Sequence, residues 1–312
     1  MKKLTALVLC TVLLSGCGGE SISESTRTEA TTAEVSTAEA AEDLPEPILS
    51  LEEYPRVDGS TANLPLMAEV MKRATGITQE EAEQLTSCNK TSQAWYNLAE
   101  NRADLLLVYE AAQLTKDRLE EIGTDLTSQP IGNDALVFIV NENNPVDSLT
   151  TDQIRAIYKG EITNWKEVGG NDEEIVAFQR SEESGSQSLF MKLMMKDENP
   201  MEAPKELAPG LMDELIDSLA EYNNEGNALG YSVYYYASYM YTKPGLKFIA
   251  VDGVMPTDET IATGQYGYTN PYYAVIRTEE PENSPARKLF NFVTGPEGVK
   301  AMEAAGYIPI EK

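Results

Sequence analysis

From about residue 51 to the end, short apolar runs alternate with stretches in which apolar positions recur every three to four residues. The first pattern predicts buried strands and the second predicts amphipathic helices. Their alternation predicts an α/β fold in which helices flank sheets. Strands are expected at 104–109, 135–140, 175–179, 229–235, 246–251 and 272–276. Helices are expected at 64–74, 92–101, 151–158, 186–195 and 212–221, with a last helical region, 285–305, broken near Gly295-Pro296. End signals agree: Thr150 or Thr151 can open one helix, Gly160 can close it, and Ser284-Pro285 is a good entry. No tandem repeat interrupts the pattern.

The first fifty residues break it. Met1-Lys2-Lys3 leads into an apolar stretch, 4–14, that closes on Leu14-Ser15-Gly16-Cys17. The stretch is too short to span a bilayer and reads as an export signal peptide over 1–16. Its close resembles the lipobox of bacterial lipoproteins. That implies that Cys17 is the lipid attachment site, anchoring the chain to the cell membrane on the extracytoplasmic face. The competing reading is simple secretion, with Cys17 an incidental thiol. Residues 17–50 are mostly Ser, Thr, Ala and Glu with no aromatic residue. They offer too little apolar surface to offset the entropy of ordering, and read as a disordered linker. The remainder is long enough for two lobes, placed at 51–135 with 236–312 (lobe 1) and 136–235 (lobe 2). With Cys10 in the signal and Cys17 lipidated, Cys88 has no disulfide partner and reads as a small buried residue.

Charge narrows the function. Acidic residues number 51 against 24 basic ones, a formal net charge of −27, and there is no His. So negative a surface repels phosphate backbones and argues against nucleic acid as a partner. Without His the commonest general base and metal ligand is missing. Ser184 or Ser186 would be a nucleophile without a His to activate it, so neither an enzyme nor a metal or cofactor is expected.

Three predicted helices begin with small polar residues: Asp58-Gly59-Ser60-Thr61-Ala62, Lys90-Thr91-Ser92, and Arg180-Ser181 leading to Ser184-Gly185-Ser186-Gln187. A helix start presents unpaired N–H groups and a positive dipole end, Ser and Thr add hydroxyl donors, and Gly admits close approach. Each alone is an ordinary cap. Arg180, at the end of a predicted strand, distinguishes the third, because a guanidinium can hold two oxygens of a tetrahedral anion in a fork. A salt bridge from Arg180 to Glu182 or Glu183 is the competing reading. Together the three starts predict a cage for a small oxyanion.

These segments resemble the substrate-binding proteins of phosphate-type ABC importers over most of residues 54–310. The resemblance rests on Val57-Asp58-Gly59-Ser60-Thr61, Asn143-Asn144-Pro145, the run from Ile154 to Trp165, Arg180 with Ser184-Gly185-Ser186, Asn227-Ala228-Leu229-Gly230-Tyr231, and Ala304-Ala305-Gly306-Tyr307-Ile308-Pro309. It implies a two-lobed type II periplasmic-binding fold with the ligand in the cleft, a monomer that delivers phosphate to an ABC permease and its ATPase. It also implies that Ser60, Thr61 and the Ala62 N–H, with Thr91 or Ser92, face Arg180, Ser184, Gly185 and Ser186 across the anion. Such receptors place an acid where Tyr109 or Glu110 falls here, to accept the proton of phosphate and exclude sulfate. Glu110 in the cleft would keep phosphate selectivity. Tyr109 there would favour another oxyanion or small polar ligand, and a sensing or adhesive lipoprotein on the same fold stays open. The Tyr-rich run 231–239 reads as strand and hinge edge, with the outward crossing between lobes near Ile131–Ile139 and the return near 236.

Overall fold

One strand joins everything else. The computed structural model describes residues 44–181, 184–196, 198–203, 209, 211–221 and 227–310. The expected export signal, Cys17, most of the linker, and Glu182 and Glu183 lie outside the described residues. The first half-sheet is built from β1 (Val57–Gly59), parallel to β2 (Leu105–Tyr109), which lies antiparallel to β8 (Thr269–Arg277). β8 in turn pairs with residues 126–135 of β3 (Leu126–Asn141). From Leu136 onward β3 changes neighbours and pairs with β6 (Ala228–Val233) and β7 (Leu246–Val251). β5 (Val176–Ala177) adds to β6, β4 (Ser148–Leu149) to β7, and β9 (Ile308–Pro309) to β3 at Gly132 and Asn133.

β3 changes partners between Ala135 and Leu136. β7, in the stretch expected to belong to lobe 1, is hydrogen-bonded to the distal half of β3. The chain rejoins the first half-sheet only at β8. β3 also begins nine residues before the expected 135. Residues 126–134 are rich in Thr, Ser, Gln, Asn and Asp, with Pro130 and a register shift before Gly132, and carry no apolar run to signal a strand.

Local chemistry explains the helices. α1 (Leu64–Thr75) has Pro65 in its first turn and ends on Gly76 at φ 76°, whose N–H returns to Lys72 O. α2 (Gln79–Leu85) and α5 (Thr151–Tyr158) open on reciprocal caps, Thr78 with Glu81 and Thr150 with Gln153. α3 (Thr91–Ala99) and α4 (Gln113–Ile122) cover the first half-sheet, where Trp95 and Leu98 pack with Leu106, Val108 and Val275. α6 (Gly185–Leu189) continues into a π-helical stretch, Phe190–Met195, and α7 (Met212–Glu221) lies against β6. In the second half the ring of Phe190 stacks on Tyr231 at 4.3 Å, beside Tyr158 and Phe138, in a buried aromatic core. α8 (Asp258–Ala262), α9 (Pro285–Val293) and α10 (Pro296–Ala304) complete the chain. The Tyr run is strand only to Val233. Beyond it the chain turns helical through Met240, burying Tyr234, Tyr235 and Tyr236 and exposing Tyr239.

Candidate functional site

The first and second helix starts are tied together by Asp58. Its buried carboxylate accepts from the N–H of Gly59 (2.8 Å) and of Asn89 (2.8 Å), and from the side-chain amides of Asn89 (3.0 Å) and Asn97 (2.7 Å). The end of β1 is thereby held against the start of α3. Ser60 follows, with its N–H on Leu107 O and its Oγ accepting from Tyr109 N–H at 3.1 Å and sharing a 2.9 Å hydrogen bond with Thr91 Oγ1. Thr61, Ala62 and Asn63 form a short 3-10 turn into α1, and Ala62 O accepts from the Tyr307 hydroxyl at 2.6 Å. Ser92 Oγ accepts from the Thr115 hydroxyl at 3.0 Å. Lys90, just before α3, holds φ 65° and ψ 169°, a region in which residues other than glycine are strained.

The third start comes from the second half. Ser184 and Ser186 share a 3.0 Å hydrogen bond, and Gly185 opens α6 against Thr91: a Cβ added to Gly185 would lie 2.7 Å from Thr91 Oγ1. Arg180 lies three residues beyond the end of β5 and is 8% exposed. Its backbone N–H points to Gln187 Oε1 and the Tyr231 hydroxyl, which are themselves hydrogen-bonded to each other, and its Nε donates to Pro209 O at 3.2 Å. Burial pushes the Arg180 guanidinium below its ordinary pKa, while Tyr231, Tyr236, Asp213 and Glu214 pull it back up.

The three starts enclose a cavity of about 490 Å³. Its walls include Ser60, Thr61, Ala62, Thr91 and Ser92 from the first half and Arg180, Ser184, Gly185 and Ser186 from the second. The cavity is thus lined by every residue expected to contact the ligand except Glu110. It adds Cys88, Asn89, Lys90, Tyr236 and Asp213, of which Asp213 and Tyr236 come from segments with no local signal for a ligand. Glu110 sits instead in an adjoining cavity of about 740 Å³, ion-paired with Lys116 at 2.6 Å and with Lys192. Burial raises its pKa, but the two lysines outweigh this and hold it below the ordinary value. Tyr109 borders both cavities, yet its hydroxyl turns away to Asp134 at 2.5 Å. Neither candidate therefore presents an acceptor to the smaller cavity. Among the described residues no group of His, Cys, Asp or Glu could hold a metal ion.

The family model described as a PBP superfamily domain matches residues 26–297. The Phosphate-binding protein PstS of Borreliella burgdorferi is 25% identical over 263 residues, covering 82% of this chain and 89% of that protein. The Phosphate-binding protein PstS of Bacillus subtilis is 26% identical over 175 residues, covering 55% and 53%. Among solved structures, a Clostridium perfringens phosphate ABC transporter substrate-binding protein with bound phosphate superposes with a TM-score of 0.63 at 25% identity, covering 82% of this chain and 98% of its own. A Vibrio cholerae phosphate transport receptor shares the fold, with a TM-score of 0.60 at 24% identity and coverage of 81% and 98%.

Proposed function

The chain belongs to the family of PBP superfamily domains, and from that premise we propose that it captures a tetrahedral oxyanion of the phosphate type between two lobes and hands it to an ABC permease and its ATPase. The observation that carries this reading is the meeting of Thr91 and Gly185 beside buried Arg180, which sets hydroxyl and N–H donors from both half-sheets around one cavity. Donors of this kind, desolvated and aimed at one point, bind an anion through short-range hydrogen bonds that surface charge and salt scarcely affect. The acidic surface then slows capture more than it weakens holding. The relatives named as phosphate-binding proteins support phosphate as the anionic group. Lobe boundaries at the β3 switch and at the entry to β8 would allow closure over the ligand. Anchoring through lipid on Cys17, on the extracytoplasmic face, completes the proposal.

Calorimetric titration of the purified chain with phosphate tests it, alongside Arg180→Ala. The variant is expected to lose at least about 100-fold in affinity, near 3 kcal/mol, because a buried charge partner is removed. Heat from the parent that Arg180→Ala leaves unchanged would place the anion elsewhere.

A further inference from the structure

Resting on the oxyanion reading and deepening it, we infer that the ligand is a small phosphomonoester whose organic part carries hydroxyl or carboxylate groups. The phosphoryl group occupies the cavity between the helix starts, and the organic part occupies the adjoining cavity at Glu110, Lys116 and Lys192.

The two cavities adjoin, with Tyr109, Ala112, Leu114, Arg180, Ser181 and Gly185 in the walls of both, and in this proposal the ester oxygen leaves the cage across that shared border. A bare tetrahedral ion needs donors around all four oxygens. A monoester needs them around three, and its fourth oxygen must leave through an opening. At about 740 Å³ the adjoining cavity has room for the organic part.

The adjoining cavity also has matching chemistry. Lys116, Lys192 and Lys196 against Glu110 and Glu202 leave a net positive charge. Lys192, about half exposed, can exchange part of its contact with Glu110 for a ligand carboxylate or hydroxyl.

The test is calorimetry on the full chain with inorganic phosphate, sulfate, glycerol 3-phosphate and 3-phosphoglycerate, for the parent and Lys192→Met. One of the esters is expected to bind at least about tenfold more tightly than phosphate, and Lys192→Met to weaken that ester about fivefold or more while changing phosphate less than about twofold. Phosphate binding as tightly as both esters would overturn the inference and leave oxyanion capture standing. An ester preference untouched by Lys192→Met would overturn the placement of the organic part. Silence with all four ligands in a folded parent would overturn both readings.

Discussion

Gly185 stands where a side chain would meet Thr91 from the other half of the molecule. A Cβ there would lie 2.7 Å from Thr91 Oγ1, a contact that real Cβ atoms do not make. Because the clash is between half-sheets, opening the cleft relieves it. Gly185→Ala is therefore expected to cut ligand affinity about tenfold or more, within the 1–3 kcal/mol range of overpacking, while the unliganded melting temperature stays close to the parent's. Calorimetry and thermal melting of the same preparation check this, and an equal loss in both would point to misfolding. At this scale much of the site is legible beforehand. Ser60, Thr61, Thr91, Ser184 and Ser186 announce themselves because helix-start chemistry is local, set by the residue and its next three neighbours. The direction of Tyr109 and Glu110 is not local. Tyr109 is the last residue of β2 and turns to Asp134, twenty-five positions away, and Glu110 is drawn aside by lysines on α4 and on the π-helical stretch after α6.

Asp58 shows what the elements add. It lies on β1, yet its carboxylate holds the loop before α3 and reaches Asn97 within that helix. Asp58→Ala leaves the donors of Asn89 and Asn97 without their acceptor, and the expected cost is about 2–4 kcal/mol, from several lost hydrogen bonds to a buried charge. Urea unfolding gives the cost directly. Hydrogen exchange at the Asn89 and Thr91 amides should accelerate more than at β8, since the tether rather than the sheet is cut. The helices 151–158 and 212–221 and the strand 246–251 match the patterning to the residue, because an apolar stripe or run with clear end signals marks each. The first nine residues of β3 and the short β1 were not marked. The former are polar strand residues paired with β8, and the latter is three residues long, below the length at which periodicity is readable.

The whole molecule turns on residue 134, one position before β3 passes from one half-sheet to the other. Asp134 is buried, accepts from the N–H groups of Ala135 and Tyr235, and takes the Tyr109 hydroxyl, which ties it through Tyr109 N–H and Ser60 to the anion cage. Burial pushes its carboxyl up to about 6 from an ordinary 3.8, against the pull of those hydrogen bonds. The folded chain thus binds this proton more tightly than the unfolded chain does. The associated stability is full below about 3.8 and is lost as pH rises through about 6. Asp104 has the opposite sign in a lower window: burial raises it, but Arg56 and Arg277 bring it down to about 2, so its contribution is lost as pH falls toward that value. Asp134→Asn separates the two. Relative to the parent, the variant should gain stability as pH rises from about 4 to 7, by at most on the order of 3 kcal/mol. Denaturant midpoints across that range measure it, and a flat difference would mean that Asp134 does not titrate there.

Taken alone, the order of apolar and polar residues determined the α/β class, most helices, the inner strands and the small polar helix starts that line the smaller cavity, because each depends on interactions within a few positions of the chain. Tertiary structure alone decided which half of the molecule holds β7, where Glu110 and Tyr109 point, and that a second, lysine-lined cavity opens beside the cage. Those outcomes depend on which strands pair and which surfaces meet across the cleft, and residues far apart in sequence carry no periodicity that records their contact.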